Sequence, residues 1–143
     1  MSGSRTGRWT VLVFHGFWDS WLHERDVLLA RGTEHPTSDD ATGYAVAYGL
    51  FISAAVASLF GDPVQDKLTL GGDGGGIFDL DSRGAVTLTV TRVTTAGPPA
   101  AQVTDALAGR GSATALCDLP ASSRAALSHL AEFFNTPAEQ QTA

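Results

Sequence analysis

Tyr44-Ala-Val-Ala-Tyr-Gly-Leu-Phe-Ile-Ser-Ala-Ala-Val-Ala-Ser-Leu-Phe60 is apolar nearly all round. A helix without a polar face has to be covered on most sides by other parts of a protein. The stretch is too short and too rich in small residues to favour a bilayer over a core, so it reads as the buried central helix of a folded domain. Ser38 before it is a good N-cap, and Asp39 and Asp40 in the first turn complement the helix dipole. Gly43 and Gly49, with the alanines, would let another backbone approach closely: the preceding helix or a second copy of the chain. Gly61-Asp-Pro63 ends the helix.

Beyond Pro63 the texture turns to β. Residues 67–70, 76–80 and 85–93 read as three strands, the last alternating Val86, Leu88 and Val90 with Thr87, Thr89 and Thr91. That alternation marks a sheet with one covered face. Asp81-Ser-Arg-Gly84 has the composition of a hairpin turn. The glycine-rich segment 71–76 joins strand to strand and lacks the G-x-x-x-x-G-K pattern, so it reads as a mobile hairpin connection instead of a phosphate cradle. Residues 94–99 form a loop, 100–108 a short helix closed by Gly109-Arg-Gly111, and 112–117 a last edge strand. Pro120 opens a final helix with Ala126, Leu127, Leu130, Phe133 and Phe134 on its core side, stopped by Asn135-Thr-Pro137. Two front helices, an antiparallel sheet of three to four strands and closing helices make an α+β domain.

The front of the chain carries the densest chemistry. In Phe14-His-Gly-Phe-Trp-Asp-Ser-Trp-Leu-His-Glu-Arg-Asp-Val-Leu-Leu29, residues Phe14, Phe17, Trp18, Trp21, Leu22, Leu28 and Leu29 gather on one broad face at helical spacing. Along one flank run His15, Asp19, His23 and Asp26. Asp19 and His23 are one turn apart, so they read either as two ligands of a divalent cation or as an incidental hydrogen-bonded pair. His15 and Asp26 read as polar residues at the edge of the aromatic face, and Glu24 and Arg25 as a solvated surface pair. Two ligands are half a site; His35 in the following loop is a candidate third. The helix should stop at Gly32. Ahead of it, 1–13 reads as a flexible tail and lead-in, with 9–14 undecided between strand and helix. The domain then spans 14–137, helical over 14–60 and sheet plus closing helices over 61–137, and 138–143 reads as a disordered tail.

A chain of 143 residues suits one domain. A formal charge of −6, with only nine Lys plus Arg scattered along the chain, gives no basic stripe for nucleic acid or an anionic membrane. The lone Cys117 reads as a small buried apolar residue and fits a reducing cytoplasm. No long apolar segment of the signal-peptide kind follows the first residues.

Trp18-Asp-Ser-Trp-Leu-His-Glu-Arg-Asp-Val-Leu28 resembles the last helix of the DinB-like four-helix bundle in mycothiol-dependent maleylpyruvate isomerases, where an acid four residues before a histidine completes a divalent-metal site. Asp105-Ala-Leu-Ala-Gly-Arg-Gly111, with Leu119-Pro through Phe133-Phe-Asn-Thr-Pro137, resembles the end of the small second domain of the same proteins. The chain departs from the pattern in two ways: the acid is Asp19 where the family more often has glutamate, and the bundle helices that would precede this one, including the source of a further histidine ligand, are not present. The resemblance implies the back half of a family member, either a natural short form or a fragment, with a sterol-carrier-like second part enclosing an apolar cavity.

It also implies roles. A divalent cation, zinc first, would be held by Asp19, His23 and an outside ligand, and would activate the thiol mycothiol against a small electrophilic substrate. Arg110 matches the family's second-domain arginine, which faces an anionic substrate. Beside this metal- and thiol-dependent isomerase or transferase stand two other classes: a non-catalytic carrier of a small apolar molecule, and a structural subunit. The aromatic face of 14–21 further implies a homodimer in which two pairs of front helices form a four-helix arrangement.

Overall fold

A computed structural model describes residues 3–110 and 114–135. Its helices are α1 (Gly3–Ala30), α2 (Asp39–Leu59), α3 (Ala100–Leu107), α4 (Thr114–Cys117) and α5 (Ala121–Asn135), and its strands are β1 (Gln65–Leu70), β2 (Gly76–Asp81) and β3 (Thr87–Thr91). This is the α+β architecture expected, with one open three-stranded antiparallel sheet in the order β1-β2-β3.

α2 is the hub. Ser38, extended at φ −80° and ψ 162°, caps it by accepting a 3.1 Å hydrogen bond from the Ala41 amide. One side of α2 joins the main core: Val46, Leu50, Ala54 and Ala57 pack with Leu68, Leu70, Phe78 and Leu80 of the sheet, Val103 and Leu107 of α3, and Leu127 of α5. Ala45 and Tyr48, on another side, meet Trp18, Trp21 and Leu22 of α1 and Leu130 of α5. The small residues do what their size allows. A Cβ on Gly49 would lie 3.3 Å from Trp18 Nε1, so the close approach is to the front helix. By length and composition α2 could cross a membrane, with a mean hydropathy of 1.5, but 56% of that span is buried inside the fold.

The sheet register sets Leu68 against Phe78, Phe78 against Val90, and Leu80 against Leu88. With period two, these side chains share one face. Helices cover it at β1 and β2, where Leu68, Leu70, Phe78 and Leu80 are fully buried. The cover thins at the edge strand β3, where Leu88 is half-buried and Val90 is 38% exposed.

Several expectations are corrected. Helix occupies the described part of 1–13, because α1 begins at Gly3, and 9–14, open between strand and helix, is helix. Residues 114–117 form a helical turn instead of an edge strand, while 111–113 lie outside the described residues. Cys117 is exposed at the end of that turn, where its carbonyl accepts a bond from Arg124. Phe133 and Phe134 are 50% and 46% exposed, because the core-facing stripe of α5 runs through Ser123, Ala126, Leu127 and Leu130. The expected tails at 1–2 and 138–143 lie outside the described residues.

The glycine-rich connection 71–76 is packed, contrary to the mobile hairpin expected. Gly71, Gly74, Gly75 and Gly76 are buried, Gly71 exchanges backbone bonds with Pro98 and Ala100, and the Gly74 amide donates 2.7 Å to the Asp39 carboxylate. Asp39 is also paired with Arg92, just beyond β3. The loop is thus clasped to the first turn of α2. Gly72 and Gly74 both have left-handed backbone, at φ 68° and 78°, but only Gly74 has neighbours: a Cβ there would sit 2.7 Å from Gly43 N and Thr42 C. Gly72→Ala should therefore lower stability by about 1 kcal/mol, the backbone strain alone. Gly74→Ala should cost at least about twice that, because the strain is joined by overlap with α2. Urea denaturation of the two variants side by side checks this; equal losses would contradict the clasp.

Candidate functional site

The faces of α1 decide which front-helix residues can meet. Trp18, Trp21 and Leu22 point into the fold and are 2%, 5% and 1% exposed. Phe17 and Leu29, expected on the same face, are 37% and 48% exposed: Phe17 points ~100° away from Trp18, off the buried stripe, whereas Leu29 shares the direction of the stripe but lies in the last turn of α1. The tryptophans are covered within the chain by Ala45, Tyr48, Ala108 and Leu130. Trp18 and Trp21 are therefore covered within one chain, and they give no support to the dimer.

Asp19 and His23 lie on the outer flank of α1. Their side chains are 56% and 66% exposed, with His23 Nε2 3.5 Å from Asp19 Oδ1. His35, the candidate third ligand, is on another side: it packs edge-on against Trp21 at 5.1 Å, and its Nε2 is 3.7 Å from Glu24 Oε2. On a helical wheel Trp21 and Glu24 are roughly 100–160° away from Asp19 and His23, so His35 does not join that pair. Among the described residues no group of three or more His, Cys, Asp or Glu side chains could hold a metal ion. His15 is tied to the core through its Nδ1, 2.8 Å from the Tyr48 hydroxyl. Burial pushes the Tyr48 phenol above its usual range.

Between His15 and the helix end, α1 is locked to the closing helices by two ion pairs. Arg25 Nε donates to both Asp105 oxygens at 2.9 and 2.8 Å, with both side chains largely buried. Arg25 is therefore not the solvated partner of Glu24, whose carboxylate turns towards His35 instead. One residue on, Asp26 accepts a 2.6 Å bond from Arg110 Nε. Arg110 is thus paired through its Nε with Asp26 of α1. The Asp105 carboxyl is held above the usual range by burial, an effect that the hydrogen bond and charge of Arg25 oppose, Asp26 reinforces and Arg110 opposes.

A groove of about 510 Å³ opens where α1, the loop 31–38, the glycine loop and the start of α3 converge. His35 forms part of its wall; it is 6% exposed, and its Nδ1 has no hydrogen-bond partner. Beside it, Trp21 Nε1 donates 3.0 Å to Thr37 Oγ1, which is 3.3 Å from Thr42 Oγ1.

Comparison with protein-family models, with curated proteins and with solved structures gives no match for this chain. The functional reading therefore rests on the residues themselves. The pairing of Arg25 with Asp105 was not legible, and His35, read as a candidate ligand, turns inward to Trp21 and Glu24 instead. Partners 80 positions apart leave no periodic signal, and His35 stands in a loop where no pattern sets its direction.

The Arg25–Asp105 pair gives a signed test. Removing one partner of a largely buried pair strands the other, so Arg25→Met should lose about 3 kcal/mol at pH 7. Asp105 already has a raised pKa, and losing Arg25 raises it further, so the fold of the variant favours the protonated acid. Stability tied to that proton is present at low pH and lost as pH rises through the folded-state pKa. The deficit of Arg25→Met against wild type should therefore shrink between pH 7 and pH 4 in urea denaturation, and adding Asp105→Leu should restore much of it at pH 7.

Proposed function

We propose that the chain is a relative of the mycothiol-dependent maleylpyruvate isomerases in which Asp19 and His23 contribute one half of a divalent-cation site, the remaining ligands coming from a second copy of the chain. The observation that carries this reading is the exposed pair itself: an acid and an imidazole one helical turn apart, 3.5 Å from each other and open to an approaching partner. The donor chemistry suits zinc, which takes oxygen and nitrogen ligands at about 2.0–2.2 Å. Two ligands are too few for a stable site. A cation in such a site lowers the pKa of a bound thiol, which is what a mycothiol-dependent isomerase or transferase acting on a small electrophile needs.

The homodimer belongs to the same proposal, with its basis moved from the tryptophans to the outer flank of α1. A two-fold axis beside that helix would bring two Asp19–His23 pairs together and give four ligands. A cytoplasmic location accords with a single cysteine. A sterol-carrier-like cavity draws less support, since Phe78, Leu68, Leu80 and Leu127 pack together between sheet and helices.

Zinc titration read by calorimetry and by sedimentation tests this. The monomer should bind no tighter than about micromolar, with too few ligands to offset ordering the side chains. Zinc at one ion per two chains should drive dimerisation, and His23→Ala and Asp19→Ala should each abolish it. Tight binding that survives His23→Ala, or zinc binding with no change of mass, would overturn the reading.

A further inference from the structure

We infer that the free edge of β3 is a self-association surface, on which a second copy of the chain adds its own β3, antiparallel, about a two-fold axis at Thr89. The two edges of the sheet are built differently. Along β1 the outer edge is occupied by the segment leading into α3. The Gly71 amide donates to Pro98 O and the Ala100 amide to Gly71 O, each at 3.0 Å, and Thr95 Oγ1 donates 2.6 Å to Leu70 O. Gly97 lies so near β1 that a Cβ on it would overlap Thr69 O. β1 also carries charge, with Asp66 held by Ser122 and Ser123 of α5 and Lys67 exposed. A covered, charged edge does not take another strand.

β3 has none of these protections. Residues 85–91, Ala-Val-Thr-Leu-Thr-Val-Thr, contain no charge, proline or glycine, and the pairing with β2 runs without a bulge. Among the described residues β2 is the only backbone partner of β3, and every residue of β3 except Leu88 is exposed. Alternate residues of an edge strand turn their N–H and C=O outwards, so a bare edge is a row of donors and acceptors that another strand satisfies.

The symmetry of the strand identifies the occupant. Thr87-Leu-Thr-Val-Thr91 keeps its pattern when read backwards, with Leu and Val exchanging places. Antiparallel pairing about Thr89 therefore sets Thr87 of one copy opposite Thr91 of the other, Leu88 opposite Val90, and Thr89 opposite Thr89. The aliphatic pair falls on the inner face, where Leu88 is half-buried and Val90 exposed because the helical cover thins there; the second copy extends that cover. The threonines pair on the outer face, where cross-strand threonines hydrogen-bond. No like charges meet across the axis, since Arg83 and Arg92 lie beyond the ends of β3 and are paired with Asp81 and Asp39 of their own chain. With the β1 edges covered, the assembly closes at two copies in one continuous sheet. Two short strands bury little area, so the pair is weak and depends on concentration. It uses no residue of α1 and does not rest on the metal reading.

The test is sedimentation of the full chain from micromolar to millimolar concentration, with a chelator present so that zinc plays no part. The mass should rise from one chain to two and stop there. Thr89→Lys sets two lysines opposite each other at the axis, while in its own sheet the lysine faces Asp79, so the fold tolerates it. It should raise the dimer dissociation constant several-fold, and mixing it with Thr89→Glu should restore pairing as a mixed dimer. In the wild type, hydrogen exchange at alternate amides of β3 should slow as concentration rises while β1 is unchanged, a measurement that stands even if a variant fails to fold. A monomer at millimolar concentration, growth past two copies, dimers indifferent to Thr89→Lys, or unchanged exchange in β3 would each overturn the inference.

Discussion

A helix as apolar as α2 has to be covered on nearly every side, and the rest of the chain is laid out to do so. The sheet takes one side, α3 and α5 take another, and α1 lies against Tyr48 and Ala45. Fully burying a large aliphatic side chain is worth about 1.5–3 kcal/mol, so residues such as Val46 and Leu50 outweigh an ordinary hydrogen bond, at about 0.5–1.5 kcal/mol net. Polar groups near α2 are accordingly arranged around it. Ser38 and Asp39 sit at its N-terminus, where free amides and the dipole favour them, and Asp39 then reaches out to Gly74 and Arg92.

Much of the fold was legible because burial and periodicity write themselves into sequence. Ser38 as a cap, α2 as a buried helix, the three strands and the short helix at 100–107 all follow from local chemistry. The failures share a cause. Phe133 and Phe134 are apolar, but α5 has only one covered stripe and Leu127 and Leu130 already fill it. Cys117 is a residue type that is usually buried, here at an exposed helix end. The glycine segment looked mobile because glycine is conformationally free; in the fold that freedom serves close packing on Thr42 and Gly43.

The candidate sites were legible to different degrees. Asp19 and His23 could be paired from their spacing, and they are neighbours on the helix. What spacing could not give was the direction of that flank, which faces away from His35 and the core. Arg110 was found as a cation but not as the partner of Asp26, and Arg25 was assigned to its sequence neighbour when its true partner is Asp105. Long-range electrostatic pairing depends on how whole helices dock, and no local pattern encodes it.

The same two ion pairs have a topological consequence. Arg25–Asp105 and Asp26–Arg110 join adjacent residues of α1 to two residues of the closing segment, across separations of 80 and 84 positions. Everything from α2 to β3 is strung between those fastenings, so α1 and α3 act as the two ends of a buckle around the sheet. Loop-closure entropy grows only slowly with length, at about 0.6 kcal/mol per doubling. Once the first fastening has formed, the second closes over a handful of residues instead of some eighty, and it pays almost none of that entropy again. The buckle is therefore cooperative in a way that neither ion pair would be if placed alone on the surface.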